Sequence, residues 1–100
     1  MPYERALPLS ELPVGQHSRV MLSGQQILVA NVDGEIHAVS DVCLHRGGSL
    51  AGGPLEGDLV TCPLHFWTFN VKSGACVQVP SLVLKVFPTK VENGEVLVEV

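Results

Sequence analysis

The chain has 100 residues, of which 46% are hydrophobic and 16% charged, with a net charge of −4 at pH 7. This composition is typical of one globular domain, and the negative charge argues against binding to nucleic acid or to an anionic membrane. No apolar run reaches 18 residues and no basic-then-apolar segment opens the chain, so we expect a cytoplasmic protein without a membrane span or secretory signal.

Strand patterns dominate because seven prolines and ten glycines interrupt the chain too often for long helices. Near the N-terminus, LPLSELPVG predicts one short turn before the first long strand. The runs SRVMLS, QQILVANV and EIHAVS then predict consecutive strands joined at Ser23-Gly24 and Asp33-Gly34. Because Asp-Gly supplies the positive φ angles of a two-residue hairpin turn, these strands are predicted to pair antiparallel.

The C-terminal segment carries the same signal. LKVFPTKVE and EVLVEV flank Asn93-Gly94, which predicts another hairpin. Alternate residues of the last strand are valines, a period of two that predicts one face turned inward: Val96, Val98 and Val100.

Residues 41–81 differ from both flanks, since they contain six of the ten glycines, all three cysteines and the only tryptophan. Within them, GDLVTC predicts a short strand between two loops. We therefore expect a single domain over residues 1–100, with an antiparallel β scaffold and an inserted site-bearing subdomain at about 41–81.

The two loops share a chemical pattern, Cys43-x-His45 and, after sixteen intervening residues, Cys62-x-x-His65. Three cysteines are an odd count, which argues against a disulfide scaffold, and in a reducing compartment Cys/His pairs more often bind metal. The alternative is two buried cysteines and two core histidines. That alternative is less consistent with the adjacent glycines Gly47-Gly48, which indicate a loop.

Two kinds of metal centre fit a set of two cysteines and two histidines. Structural zinc takes such sets, but finger spacing pairs cysteine with cysteine and histidine with histidine. A [2Fe–2S] cluster with two cysteines on one iron and two histidines on the other is the second possibility. Here each loop carries one cysteine and one histidine. This mixed pattern favours the [2Fe–2S] cluster, because each loop then contributes one ligand to each iron.

The stretch CLHRGGSLAGGPLEGDLVTCPLHFWTFNVKSG resembles the Rieske iron–sulfur signature, C-x-H followed by C-P-x-H. The resemblance implies an all-β Rieske fold, in which a β-sandwich-like base carries a small inserted cluster-binding subdomain. It implies that Cys43 and Cys62 hold the inner iron, and that His45 and His65 hold the outer iron near solvent. The chain is similar to soluble ferredoxins of ring-hydroxylating dioxygenases.

Comparison with high-potential Rieske proteins implies a low reduction potential. Those relatives carry an extra cysteine in each motif, where this chain has Gly48 and Leu64, so their disulfide is excluded. They also carry serine and tyrosine where this chain has Trp67 and Phe69, which lack hydroxyls. Hydrogen bonds to sulfur stabilise the reduced cluster, so their loss is expected to lower the potential unless Thr68 donates instead.

Other residues near the motifs are given simpler interpretations. Phe66 replaces the glycine usual after the second histidine, and it either covers the cluster, enlarges an apolar docking patch, or packs against the loop. His17 and His37 are expected to be ordinary half-buried or surface histidines, and Cys76 a buried apolar thiol. For Asp41, framing of the site is an alternative to plain solvation.

The resemblance implies an electron carrier and not an enzyme in its own right. It implies one electron accepted from a flavin-dependent ferredoxin reductase and delivered to a terminal oxygenase, with transient docking to each. Two alternatives remain open at this point: the small Rieske subunit of an assimilatory nitrite reductase, and a structural zinc module.

Overall fold

The computed structural model describes residues 3–42, 49–63 and 67–100. Within these ranges the chain forms ten strands and two short 3-10 turns, Leu9–Glu11 and Leu50–Gly52. The strands are β1 (Tyr3–Pro8), β2 (His17–Leu22), β3 (Gln25–Val32), β4 (Glu35–Ser40), β5 (Leu55–Glu56), β6 (Leu59–Thr61), β7 (Thr68–Asn70), β8 (Val86–Phe87), β9 (Thr89–Glu92) and β10 (Glu95–Glu99). No helix in this described part of the chain is long and apolar enough to cross a membrane.

The described strands form three sheets with the orders β1-β10-β9, β2-β3-β4-β8 and β5-β6-β7. Every pairing among them is antiparallel. The predicted all-β class is confirmed, as is the short turn predicted within LPLSELPVG.

The three predicted hairpin turns are confirmed by their backbone angles. Both central residues of each turn have positive φ, between 51° and 92°, at Ser23-Gly24, Asp33-Gly34 and Asn93-Gly94. Positive φ at both positions defines the turn whose twist matches the flanking strands. The local sequence therefore sets the register of β2 with β3, β3 with β4, and β9 with β10.

Strand β3 is buried on both faces and divides the interior into two cores. Its alternate residues Ile27 and Val29 join one buried cluster, whereas Leu28, Ala30 and Val32 join the other. A strand that is apolar on both faces lies between two layers. The sheet β2-β3-β4-β8 is thus the shared wall of the molecule.

The first cluster, which we call the base core, lies between this wall and the sheet β1-β10-β9. It includes the inward-facing valines predicted for the last strand, together with Leu12 and residues of β1, β2, β3, β4 and β8: Leu7, Leu12, Leu22, Ile27, Val29, Ala38, Phe87, Val96, Val98 and Val100. Burial of all three predicted valines confirms the inward face.

The second cluster, which we call the site core, lies on the opposite face and contains residues from the cysteine-bearing region. Its members are Leu28, Ala30, Val32, Val39, Leu50, Val60, Cys62, Phe69, Val71, Cys76 and Leu84. This arrangement places Leu50 and Cys62, which lie next to the undescribed residues of the two motifs, in a core separate from that of the base sheet.

Two features of the fold differ from the sequence expectation. The run LKVFPTKVE is not one strand, because β8 pairs with β4 and β9 pairs with β10. Pro88, between them, has no backbone N–H for a ladder, and its carbonyl oxygen accepts the Glu99 N–H at 2.9 Å. Strand β1 was not predicted, since a register shift between Arg5 and Leu7 obscures its alternation.

Candidate metal centre

Of the four predicted ligands, only Cys62 lies within the described residues; Cys43, His45 and His65 lie outside them. Cys62 directly follows β6 and is completely buried in the site core. Its thiol is free, as is that of Cys76, among the described cysteines. Partly buried Trp67 packs against the site core, so the core residues that surround Cys62 are apolar.

The first motif loop is closed at its base by backbone bonding. Val42 and Ser49, which flank residues 43–48, form an antiparallel bridge. One step further out, the Leu50 N–H donates to the Asp41 carbonyl oxygen at 2.8 Å. The two ends of this loop are therefore held side by side at the end of β4.

The second motif loop is closed in the same way by β6 and β7. The Cys62 N–H donates to the Trp67 carbonyl oxygen at 2.7 Å. Thr61 lies opposite Thr68, and their hydroxyl oxygens are 3.3 Å apart. Thr61 and Thr68 form a non-hydrogen-bonded pair of the antiparallel ladder, the kind in which facing side chains approach most closely.

The two loop bases lie against each other. A Cβ atom added to Gly53 would overlap the Thr61 carbonyl oxygen and lie 3.2 Å from Cδ of Pro63. The backbone that follows the first loop therefore packs directly on the backbone that leads into Cys62. His17 adds a link from the central sheet, since its Nε2 is 2.6 Å from the Gly53 carbonyl oxygen.

A third segment, after β7, packs beside the second loop. Cys76 and Phe69 form an isolated antiparallel β-bridge through their backbones. The Val77 N–H donates to the Thr68 carbonyl oxygen at 2.8 Å. The side-chain oxygen of Gln78 accepts the Thr68 N–H at 3.0 Å. The prediction that Cys76 is a buried apolar thiol is confirmed, since it is 1% exposed and belongs to the site core.

Asp41 is not solvated, which corrects the simpler of its two interpretations. The residue is 0% exposed, and its Oδ2 accepts hydrogen bonds from Gln26 Nε2 at 2.8 Å and from Ser49 Oγ at 2.6 Å. Its sequence position offers a partial signal, because it directly follows a strand pattern. Its distant partner Gln26 gives none.

The two remaining histidines are half-buried, as expected. His37 Nε2 is 3.3 Å from Glu35 Oε1, and His17 is engaged with Gly53. Among residues 3–42, 49–63 and 67–100, no group of three or more His, Cys, Asp or Glu side chains is placed to hold a metal ion. The ligand set predicted from the sequence thus depends on residues outside these ranges, apart from Cys62.

A family model described as the Rieske [2Fe-2S] domain matches residues 4–88 of this chain. The chain belongs to the Rieske [2Fe–2S] family. The resemblance seen in the sequence is confirmed, and so are the fold it implied and a Rieske-type [2Fe–2S] cluster as the cofactor. The zinc module is therefore set aside.

Relatives of similar length agree with this membership. The biphenyl dioxygenase ferredoxin subunit of Pseudomonas sp. (strain KKS102) is 39% identical over 101 residues, covering 99% of this chain and 93% of that protein. The ferredoxin of carbazole 1,9a-dioxygenase from Nocardioides aromaticivorans IC177 superposes with a TM-score of 0.90 at 26% identity, covering 98% and 97% of the two chains. A chain of a carbazole 1,9a-dioxygenase complex of reduced oxygenase and oxidized ferredoxin gives a TM-score of 0.88 at 35% identity, covering 96% and 91%.

The described residues fit the cluster in two respects. A buried, unpaired thiol stands at the base of the second loop, which suits a thiolate ligand shielded from water. The first loop is anchored next to it, because the segment Ser49–Gly53 packs on Thr61–Pro63. Cysteine and histidine are also the donor types that a Rieske centre uses.

Proposed function

We propose that this protein is the ferredoxin of a ring-hydroxylating dioxygenase system. It would accept one electron from a flavin-dependent ferredoxin reductase and deliver it to a terminal oxygenase. The observation that carries the proposal is the Rieske match over residues 4–88, joined to two adjacent closed loops with Cys62 buried at the base of one. Relatives of nearly the same length are named as dioxygenase ferredoxin components, which supports a carrier and not a catalytic subunit.

We infer the ligand set Cys43, His45, Cys62 and His65, with the cysteines on the inner iron and the histidines on the outer. Burial of Cys62 in the site core supports the inner position for its thiolate. When bound, the cluster supplies one-electron redox chemistry. The chain's own part is to hold the loops together, exclude water from the cysteine side and set the potential.

A low reduction potential is part of the proposal. Phe69 is fully buried in the site core and has no hydroxyl to offer to sulfur. The Thr68 hydroxyl, the alternative donor, lies 3.3 Å from that of Thr61. Either hydroxyl can donate in that contact, so the support comes from Phe69: without a hydroxyl at this position the cluster has one hydrogen bond to sulfur fewer, which disfavours the reduced state.

Docking at the loops is supported by exposed apolar side chains beside them. Val42 flanks the first loop, and Val77 is bonded to Thr68 just after the second; both are exposed. A few exposed aliphatic side chains suit a transient interface better than an obligate one. We assign this function to a single domain over residues 1–100, with the cluster-binding subdomain at about 41–81, in the cytoplasm.

The ligand assignment is tested by a matched pair of substitutions, Cys62→Ala and Cys76→Ala. Both thiols are buried in the same core, so the two variants lose the same atoms from the same environment. We expect Cys76→Ala to retain iron, sulfide and the EPR signal of the dithionite-reduced cluster, whereas Cys62→Ala loses all three. Retention of the wild-type signal by Cys62→Ala would refute the ligand set.

Electron delivery is tested by mixing the reduced protein with the oxidised terminal oxygenase of an aromatic-ring dioxygenase in a stopped-flow spectrometer. We expect the ferredoxin to be oxidised within the time of one oxygenase turnover. The rate of this electron transfer should fall as the salt concentration rises. A reduced protein that transfers no electron to such oxygenases, but does so to a sirohaem nitrite reductase, would replace this proposal by the nitrite reductase alternative.

A further inference from the structure

We propose that His17 is a positioning residue for the cluster. From β2 its side chain holds the backbone at Gly53, and through that backbone it holds the segment that leads into Cys62. The inference rests on the proposed function, because it takes Cys62 as a ligand of the cluster. His17 lies outside both ligand motifs, at the start of an edge strand of the sheet β2-β3-β4-β8.

The direction of the hydrogen bond at His17 follows from the chemistry of its partner. The imidazole Nε2 lies 2.6 Å from the Gly53 carbonyl oxygen. A carbonyl oxygen only accepts, so Nε2 carries the proton and donates. The neutral ring with its proton on Nε2 and the imidazolium both donate at this atom. Gly53 is buried, so its carbonyl oxygen needs a donor from the protein, and His17 supplies one.

Gly53 is in backbone contact with the segment that carries the proposed ligand. A Cβ atom at this position would overlap the Thr61 carbonyl oxygen, so the two backbones pack directly on each other. The next residue, Pro54, accepts the Thr61 N–H at its carbonyl oxygen at 3.1 Å. Thr61 directly precedes Cys62. After the His17 side chain, the connection to Cys62 therefore runs through backbone atoms, whose positions do not depend on side-chain rotamers.

The register of the central sheet explains why His17 reaches this segment. His17 and His37 both lie opposite Ala30, one on each neighbouring strand. Facing residues of adjacent strands point to the same side of a sheet, and Ala30 is buried in the site core. Both histidines therefore project from the face that carries the site core. His17 reaches the loop base, whereas His37 Nε2 lies 3.3 Å from Glu35 Oε1 on its own strand.

This symmetry supplies a matched set of variants. His17→Leu removes the donor and keeps an apolar side chain on the site-core face. His17→Gln restores a donor, because the amide nitrogen of glutamine lies about as far along the side chain as the imidazole Nε2. His37→Leu removes a histidine from the same face and leaves the exposed pair of Glu35 Oε1 and Lys72 Nζ, 3.9 Å apart, in place.

We expect His17→Leu to release iron to a chelator about fivefold faster than wild type, the effect of one lost hydrogen bond to a buried acceptor. The EPR lines of its reduced cluster should also broaden, because a loosened segment lets the Cys62 thiolate occupy a wider range of positions. His17→Gln and His37→Leu should match wild type in release rate and line width. Val98→Ala, which destabilises the base core, shows what a general loss of stability does to both measurements.

Wild-type release and line width in His17→Leu would overturn the positioning role. The same changes in His17→Gln as in His17→Leu would overturn it too, because a restored donor would then have no effect. Equal broadening in Val98→Ala would overturn it as well, since general destabilisation would then account for the result.

Amide exchange separates this inference from the proposed function. The Gly53 N–H donates to the Leu50 carbonyl oxygen at 3.0 Å and the Thr61 N–H to that of Pro54 at 3.1 Å. His17→Leu should raise hydrogen exchange at both amides about fivefold, and His17→Gln should not. If wild-type protein binds no [2Fe–2S] cluster, the proposed function fails, and unchanged exchange would show that His17 does not hold the loop base either. If wild type binds the cluster and His17→Leu behaves like it in every measurement, only the role of His17 fails.

Discussion

The base core and the site core share the strand β3 but are closed by very different structures. The base core is covered by strands of four to six residues, β1, β9 and β10. The site core is covered by strands of two or three residues, β5, β6 and β7, and by the segments around them. Short strands have little stability of their own, so the site side depends on hydrogen bonds between its irregular segments.

These hydrogen bonds join residues six to thirteen positions apart in the sequence. On the site side, Val71 N–H donates to the Asp58 carbonyl oxygen at 2.8 Å, Cys76 N–H to that of Leu82 at 2.9 Å, and Leu84 N–H to that of Gly74 at 2.8 Å. These bonds connect irregular segments and not long ladders. We therefore expect the cluster, which ties the two loops together, to stabilise this side much more than the base.

The largest predicted effect is that of cluster removal. Chelation of iron under reducing conditions should raise amide hydrogen exchange at least tenfold in β5, β6 and β7, because metal binding free energy contributes to folding of the segments that supply the ligands. Exchange in β1, β2, β3 and β10 should change less than threefold. Mass spectrometry of peptides from both regions measures the difference. A uniform rise across all strands would show that the two cores unfold as one unit.

This contrast also explains what the sequence could predict. The hairpins are set by pairs such as Asp33-Gly34, whose positive φ is a local property, and the alternation of Val96 and Val98 is visible within five residues. The ligand motifs are recognisable because the chemistry of iron restricts residue type and spacing. The family and the cofactor followed from them.

The contacts that build the site were not predictable in this way. Gln26 and Asp41 are 15 residues apart, and His17 and Gly53 are 36 apart, yet each pair is hydrogen-bonded. No local period or motif joins such residues. The path of the chain at Pro88 was also missed, because a proline marks an interruption but not the sheet to which the next strand goes.

The second prediction concerns the contact between the two loop bases. Gly53→Ala should destabilise the protein by about 3 kcal/mol and accelerate cluster loss, because its Cβ would overlap backbone at Thr61 and force the segment leading into Cys62 to move. Gly52→Ala is the matched control, since its Cβ would meet only Pro63 Cγ at an ordinary 3.6 Å. Chemical denaturation and iron release measure both variants. Equal behaviour of the two would contradict tight packing of the loop bases.

A smaller effect, of about 2 kcal/mol, is expected from truncating a buried valine in either core. Val60 on β6 and Val98 on β10 are both 0% exposed, so Val60→Ala and Val98→Ala should cost similar stability. Only Val60→Ala should also speed cluster release, because it loosens the strand that precedes Cys62. If Val98→Ala accelerated cluster release as much as Val60→Ala does, the sheet β2-β3-β4-β8 would not separate the two cores.

The smallest effect is expected at the surface of the base sheet, where Arg5 Nε lies 2.7 Å from Glu95 Oε2. The side chains are 58% and 40% exposed, so solvent screens their attraction and Arg5→Ala should cost less than about 1 kcal/mol. A double-mutant cycle with Glu95→Ala, run at low and high salt, isolates the pair, and its coupling should shrink as salt rises. Cluster release should be unchanged in both variants, because the pair lies on the sheet that covers the base core. A change in release rate would show that the base sheet transmits strain through β3 to the loops, and the division between the two cores would then have to be abandoned.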